Sequence, residues 1–169
     1  MTHASFTPLV VCSLLCACAT ERAVAPTDVP PALRTGSVPF LAAYASGVQI
    51  YACAKKPDAT NLEWTLRGPE ATLSSRSGRV VGTHSAGPTW SSTDGSSVIG
   101  AVTARDPGPD PTAIAWLLLS AKSTSSSGVL APTRAIQRVH TKGGVAPSTA
   151  CEEGAVLRVP YTATYYFYR

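Results

Sequence analysis

The sequence predicts an all-β domain, an antiparallel sandwich or a barrel built from many short strands. Three observations carry that expectation. Short apolar runs alternate with clusters of Gly, Pro and Ser from residue 38 to the end of the chain. The last run sets Val159, Tyr161, Ala163, Tyr165 and Phe167 on one face and Pro160, Thr162, Thr164, Tyr166 and Tyr168 on the other, the two-residue period of a strand. No stretch joins a helix cap to three helical turns of apolar periodicity.

Taken in order, residues 38–44 and 48–53 read as a hairpin split by Ser46-Gly47. Residues 64–67 follow a loop containing Pro57 and Asp58, and residues 71–74 and 79–84 flank Ser77-Gly78, a second hairpin. Asp94-Gly95 marks a turn, after which residues 97–104 place Val98, Gly100 and Val102 on one face. Pro107, Pro109 and Pro111 interrupt the sheet. Residues 114–121 (IAWLLLSA) are apolar on both alternating faces, as expected of a central strand covered on both sides; a short buried helix is the alternative, which the length and the flanking turn clusters disfavour. Residues 123–128 form a Ser/Thr loop, and residues 133–141 read as a strand.

Composition sets limits on function. Of 169 residues, 44% are hydrophobic and 14% charged, which provides for a packed core and argues against disorder. The net charge of +4 is spread thinly, with Lys55-Lys56 the one basic pair, so no nucleic-acid stripe is present. Collagen, coiled-coil and polytopic membrane architectures are excluded as well.

The N-terminus reads as an address. Residues 6–19 are apolar and uncharged, too short for a bilayer span and placed where a secretory signal belongs. Leu15-Cys16-Ala17-Cys18 resembles the lipobox of bacterial lipoproteins, with Cys18 acylated and residues 1–17 removed; an ordinary signal peptide containing cysteines is the alternative. Cys16 fits less well, since bulky Leu15 precedes it. Ala19 after Cys18 implies, by the same resemblance, an anchor in the outer membrane facing the periplasm. Residues 18–37 then form the anchor and a tether carrying Pro26, Pro30 and Pro31, and residues 38–169 the domain. Leu33 and Val38 are available to pack on that domain. Once Cys12 and Cys16 leave with the signal and Cys18 carries lipid, Cys53 and Cys151 remain. In an oxidising compartment they are expected to form a bridge, the alternative being two separate buried thiols.

Signals for chemistry are sparse. Dinucleotide, P-loop, HExxH and EF-hand motifs are missing, and Gly143-Gly144 reads as a loop rather than a phosphate site. No cofactor or metal is implied: past the signal only His84 and His140 remain as histidine ligands, the cysteines are expected to be oxidised, and a third ligand would have to be Asp or Glu. His84, Asp94 and many serines supply the residue types of a catalytic triad without a G-x-S-x-G elbow. Glu63, Glu70 and Asp94 are the acids to consider for paired-carboxylate work. The run from His84 to Trp90, with Gly87-Pro88 inside it and Asp94-Gly95-Ser96 after it, reads as a loop. Such a loop would present an imidazole and an indole to a polar or sugar-like ligand. Alternatively, Trp90 plugs the end of the domain and His84 binds a backbone carbonyl.

Several of these pieces occur as an ordered set. Gly47-Val48-Gln49-Ile50-Tyr51-x-Cys53 is followed by Trp64, by Pro69-Glu70-Ala71-x-Leu73, and by the stretch from His84 to Ser96. Ala115-Trp116-Leu117-Leu118-Leu119, Ile136-Gln137-Arg138-Val139, Gly143-Gly144-x-Ala146-Pro147, Cys151 and Val159-Pro160-Tyr161-x-Ala163 complete it. The series resembles a secreted family of bacteria and fungi of unknown function, over nearly all of residues 38–169. The resemblance implies a β-rich extracytoplasmic domain with paired cysteines and brings no activity. Some fungal members carry the label malate dehydrogenase, but the glycine fingerprint such an enzyme requires is missing here.

Two classes of function follow. One is a lipid-anchored binding or interaction module, using His84, Trp90, Asp94 and Arg138 on a cell-wall or glycan ligand. The other is a small hydrolase-like enzyme built on His84 and Asp94 with Glu70 or Arg138. A purely structural envelope component is a third reading, in which His84 and Trp90 are buried and satisfied.

Overall fold

A computed structural model describes residues 23–55 and 61–169; the expected signal at 1–17 and the acylated Cys18 lie outside the described residues. Eight strands follow one another: β1 (Leu41–Lys55), β2 (Leu62–Ser74), β3 (Val80–Ser85), β4 (Thr89–Ser92), β5 (Ser97–Asp106), β6 (Trp116–Ser123), β7 (Ala135–Gly143) and β8 (Val156–Tyr168). Each pairs antiparallel with its sequence neighbour, and β8 returns to β1, with Leu41 opposite Phe167 and Gly47 opposite Tyr161. The all-β expectation therefore takes the form of a closed up-and-down barrel, an architecture that leaves no sheet edge. Its upper end carries the start of β1, the turns at 75–79 and 93–96 and the loop 124–134. Its lower end carries the turn at 86–88 and the loops 107–115 and 144–155.

The expected hairpin at Ser46-Gly47 is absent. β1 runs straight through it, paired on both sides, and Gly47 serves close approach instead: a Cβ there would stand 2.2 Å from the Glu70 carbonyl oxygen. Residues 64–67 and 71–74 likewise belong to one strand, β2, whose register against β1 shifts at Ile50/Tyr51. The turns at Ser77-Gly78 and Asp94-Gly95 lie where the sequence places them, between β2 and β3 and between β4 and β5.

The barrel interior holds the main core. Tyr161, Ala163, Tyr165 and Phe167 of β8 point into it as their alternation predicts, against Leu119, Ile136, Val98 and Trp90. A second apolar cluster lies on the outside of the barrel. There Val29 and Leu33, the latter in a 3-10 turn at Pro31–Leu33, cover Trp116, Val139, Tyr166 and Tyr168. This cover explains why β6 and β8 are apolar on both faces.

The proline-rich stretch read as a tether is thus, from Ala23 onward, a strap laid on the barrel. Its backbone is secured by Gln137, whose Nε2 donates to the Leu33 carbonyl at 2.7 Å while its Oε1 accepts from the Tyr168 hydroxyl at 3.0 Å. Asp28 meets His140 at 3.1 Å at the strap's far end. Val38, by contrast, is exposed.

Cys53 and Cys151 form the expected bridge across a sequence separation of 98 residues, with Cα atoms 5.8 Å apart. It staples the loop 144–155 to the lower end of β1, where the Cys53 amide also donates to the Ala155 carbonyl at 2.8 Å. The eight strands of the closed barrel and both cysteines of the bridge lie within the described residues.

Candidate functional site

His84 and Trp90 are cross-strand partners on β3 and β4, on either side of a tight turn in which Gly87 adopts φ 114° before Pro88. Residues 84–90 are therefore a hairpin rather than a presenting loop, and the two rings face inward at 2% and 1% exposure. Inward placement follows from strand alternation, since His84 continues the inner face of Gly82 and Trp90 opposes it directly. The rings stack at a centroid distance of 4.3 Å, and the Tyr165 ring meets both edge-on, at 5.0 and 5.3 Å. Room for the indole comes from Gly100 on β5, where a Cβ would lie 2.9 Å from the Trp90 ring.

The His84 Nδ1–H donates to the Thr89 carbonyl at 2.9 Å. Burial, aided by the positive charge of Arg138, pushes the imidazole pKa down to about 4. The unfolded chain binds this proton near its ordinary value and the native barrel does not. Stability is therefore complete above about pH 6.5 and falls as the pH drops towards 4, by about 3 kcal/mol in all. Urea titrations between pH 7 and pH 4 should show this slope, and His84→Gln should flatten it.

Below the stacked rings lies a polar patch inside the barrel. Arg138 of β7, facing the same interior as Leu117 and Tyr165, donates from Nε and Nη2 to the Ala115 carbonyl at 3.0 and 2.8 Å. It has no carboxylate partner among the described residues. The Tyr161 and Tyr165 hydroxyls are buried nearby, beside each other and the Arg138 guanidinium, and the Trp90 indole N–H is buried without a hydrogen-bond partner. Burial raises the pKa of both tyrosines, so they remain protonated donors. Tyr51 is satisfied, donating to the Gly144 carbonyl at 2.6 Å.

Asp94 sits at the opposite end of β4 from this patch. Its carboxylate accepts from the Ser96 amide and hydroxyl at 2.9 and 2.6 Å and from the Val129 amide at 2.7 Å, and these bonds hold its pKa far below the usual carboxylate range. Ser96 in turn accepts from the Leu130 amide at 3.1 Å, so Asp94 fastens the loop 124–134 to the β4–β5 turn. The structure brings His84, Trp90 and Arg138 together and leaves Asp94 apart. Glu70 is on the outside, paired with Arg158 at 2.8 Å. Among the described residues, no three His, Cys, Asp or Glu side chains gather as metal ligands would.

A groove of about 780 Å³ opens at the upper end. Leu73, Leu130 and Phe167 form its floor, Ser75, Ser92, Arg76 and Arg79 its polar wall, and Ala23 and Val24 of the strap reach its margin.

Residues 34–169 match the family model described as a protein of unknown function, DUF3455. The chain belongs to this family. The matched span contains the whole barrel, the bridge and every site residue above, and the strap from Ala23 to Leu33 precedes it. No curated protein and no solved structure matches the chain. In this DUF3455 barrel the interior tyrosines are what sequence reasoning missed, because alternation assigned Tyr161 and Tyr165 simply to an apolar face. The available signal was the choice of Tyr over Phe at two inward positions, which brings hydroxyls into a core.

Proposed function

We propose that this chain is a lipid-anchored, non-catalytic binding module of the cell envelope. It is acylated at Cys18, faces the periplasm from the outer membrane and holds its ligand in the upper groove. The observation that carries the non-catalytic reading is the separation of His84 from Asp94. An acid and a base must reach one reacting atom. Here one group is inside the barrel on a backbone carbonyl, and the other is on the rim holding a loop.

The groove's apolar floor and its Arg76, Arg79 and serine wall suit an amphipathic ligand with an acidic group. A cell-wall or glycan ligand fits the same reading only through this groove, because the Trp90 ring is inside the barrel. Thermal unfolding of residues 19–169 with short-chain phospholipids, acidic cell-wall fragments and neutral oligosaccharides tests the proposal. An acidic amphiphile at 100 times its Kd should stabilise by about 2.7 kcal/mol, raising Tm by at least about 5 °C. Arg79→Ala should abolish that shift while leaving the unliganded Tm in place. If no compound moves Tm, the barrel is a structural component instead.

A further inference from the structure

We propose that the upper end of the barrel docks directly on an anionic phospholipid bilayer, which the groove and rim touch face-on. The inference rests on the anchor reading for its geometry and goes beyond it in assigning the barrel its own membrane-binding face. Three observations converge on that end.

The first is where the chain enters. Ala23 is buried at the margin of the upper groove, so only residues 19–22 separate it from Cys18. At full extension that stretch spans about 18 Å. A stalk over residues 18–37 would let the barrel tumble far from the bilayer, but the strap has taken up that slack. The upper rim is the part of the barrel nearest the lipid.

The second is charge. Among the described residues, the upper turns and strand ends carry Arg79, Lys122, Arg134 and Arg169, all exposed, against the single acid Asp94. The lower end carries Glu63, Asp106, Asp110, Glu152 and Glu153 interspersed with the cations Lys55, Arg67, Arg105 and Lys142. Positive charge is therefore concentrated where the strap enters, while the end where the bridge lies is of mixed sign. A surface of anionic headgroups attracts the first end and gains little from the second.

The third is exposed apolar surface interleaved with those cations. Val24, Val38 and Val80 are 74%, 62% and 54% exposed, and Val129 and Tyr44 add to the same rim. The Arg169 guanidinium rests 5.1 Å above the Phe40 ring beside Val38. Apolar side chains among arginines are the composition of a surface that sits at a headgroup boundary.

Co-sedimentation of unlipidated residues 19–169 with vesicles provides the test. Vesicles of equal parts phosphatidylglycerol and phosphatidylethanolamine should bind the domain in a salt-sensitive way, and phosphatidylcholine vesicles should not. At about 1 kcal/mol per cation at the surface, the triple variant Arg79→Glu, Arg134→Glu, Arg169→Glu should bind at least about 100-fold more weakly. The lower-end triple variant Arg67→Glu, Arg105→Glu, Lys142→Glu makes the same change in net charge and should retain binding. Unchanged Tm values establish that both variants fold. Absence of binding to anionic vesicles overturns the proposal, and so does equal loss in the two triple variants. Fatty-acid labelling of the full chain and of Cys18→Ala reports on the anchor separately. Vesicle docking by the domain of a chain that takes up no label would overturn the anchor reading and support the docking face.

Discussion

Replacing both Cys53 and Cys151 by alanine should cost the domain about 4 to 5 kcal/mol, the largest effect expected of any change made in it. The bridge closes a sequence separation of 98 residues, so its loss releases the unfolded chain from a constraint that spans nearly the whole barrel. The native state loses little in exchange. The Cys53 amide and carbonyl keep their bonds to Ala155 and Gly154, which hold the loop 144–155 in place without the sulfurs. The midpoint of urea unfolding should therefore fall while its far-ultraviolet circular dichroism before the transition is unchanged. A double variant as stable as the parent would mean that the unfolded chain is already compact around these residues.

Trp90→Ala should cost about 3 to 5 kcal/mol. The indole is 1% exposed, stacks on His84, and meets Tyr165 and Phe167 edge-on, so its removal takes one wall from three other rings. The surrounding backbone is held in a closed sheet and has little freedom to collapse into the gap. Gly100, which leaves room for the ring, would then face a void. Trp90→Phe should lose clearly less, since a six-membered ring still fills most of the space and the unpartnered indole N–H goes with the substitution. Chemical denaturation of the two variants gives the comparison. Equal losses would show that the indole nitrogen has a partner of its own, a buried water being the natural one.

The sequence was most legible where local rules act alone. Alternation in β8, the turns at Ser77-Gly78 and Asp94-Gly95, and the double-sided apolar run of β6 all depend on neighbours a few residues apart. The bridge followed from counting cysteines. What escaped is what depends on closure. Gly47 looks like a turn residue, yet it is a glycine because another strand's carbonyl passes too near for a side chain. For His84 and Trp90 the sequence offered both a presented pair at the Gly87-Pro88 turn and a buried pair with His84 on a backbone carbonyl; the second is what forms, because a turn between two paired strands leaves the flanking residues to alternate. Which way they alternate is decided by the barrel they complete. The strap was half visible: Leu33 packs on the domain as its apolar side chain suggests, but Val29 before it is too isolated to announce a face, and what buries both is a surface made by β6, β7 and β8 together. The candidate catalytic pair could not be judged from spacing at all. Ten residues apart, His84 lies on β3 beside the start of β4 and Asp94 in the turn beyond the end of β4, so the two belong to opposite ends of the barrel.

The pairing of β1 with β8 also sets an order of events in the making of the molecule. The strand synthesised first shares its ladder with the one synthesised last, Leu41 against Phe167 and Ala52 against Val156. Until β8 exists, one side of β1 is a row of unpaired amides and carbonyls, an invitation to neighbouring chains. The barrel consequently cannot assemble piece by piece as the chain emerges. Closure is a single late event, made slow by the distance in sequence between its partners, and a chain cut short before residue 156 leaves that side of β1 without its partner strand.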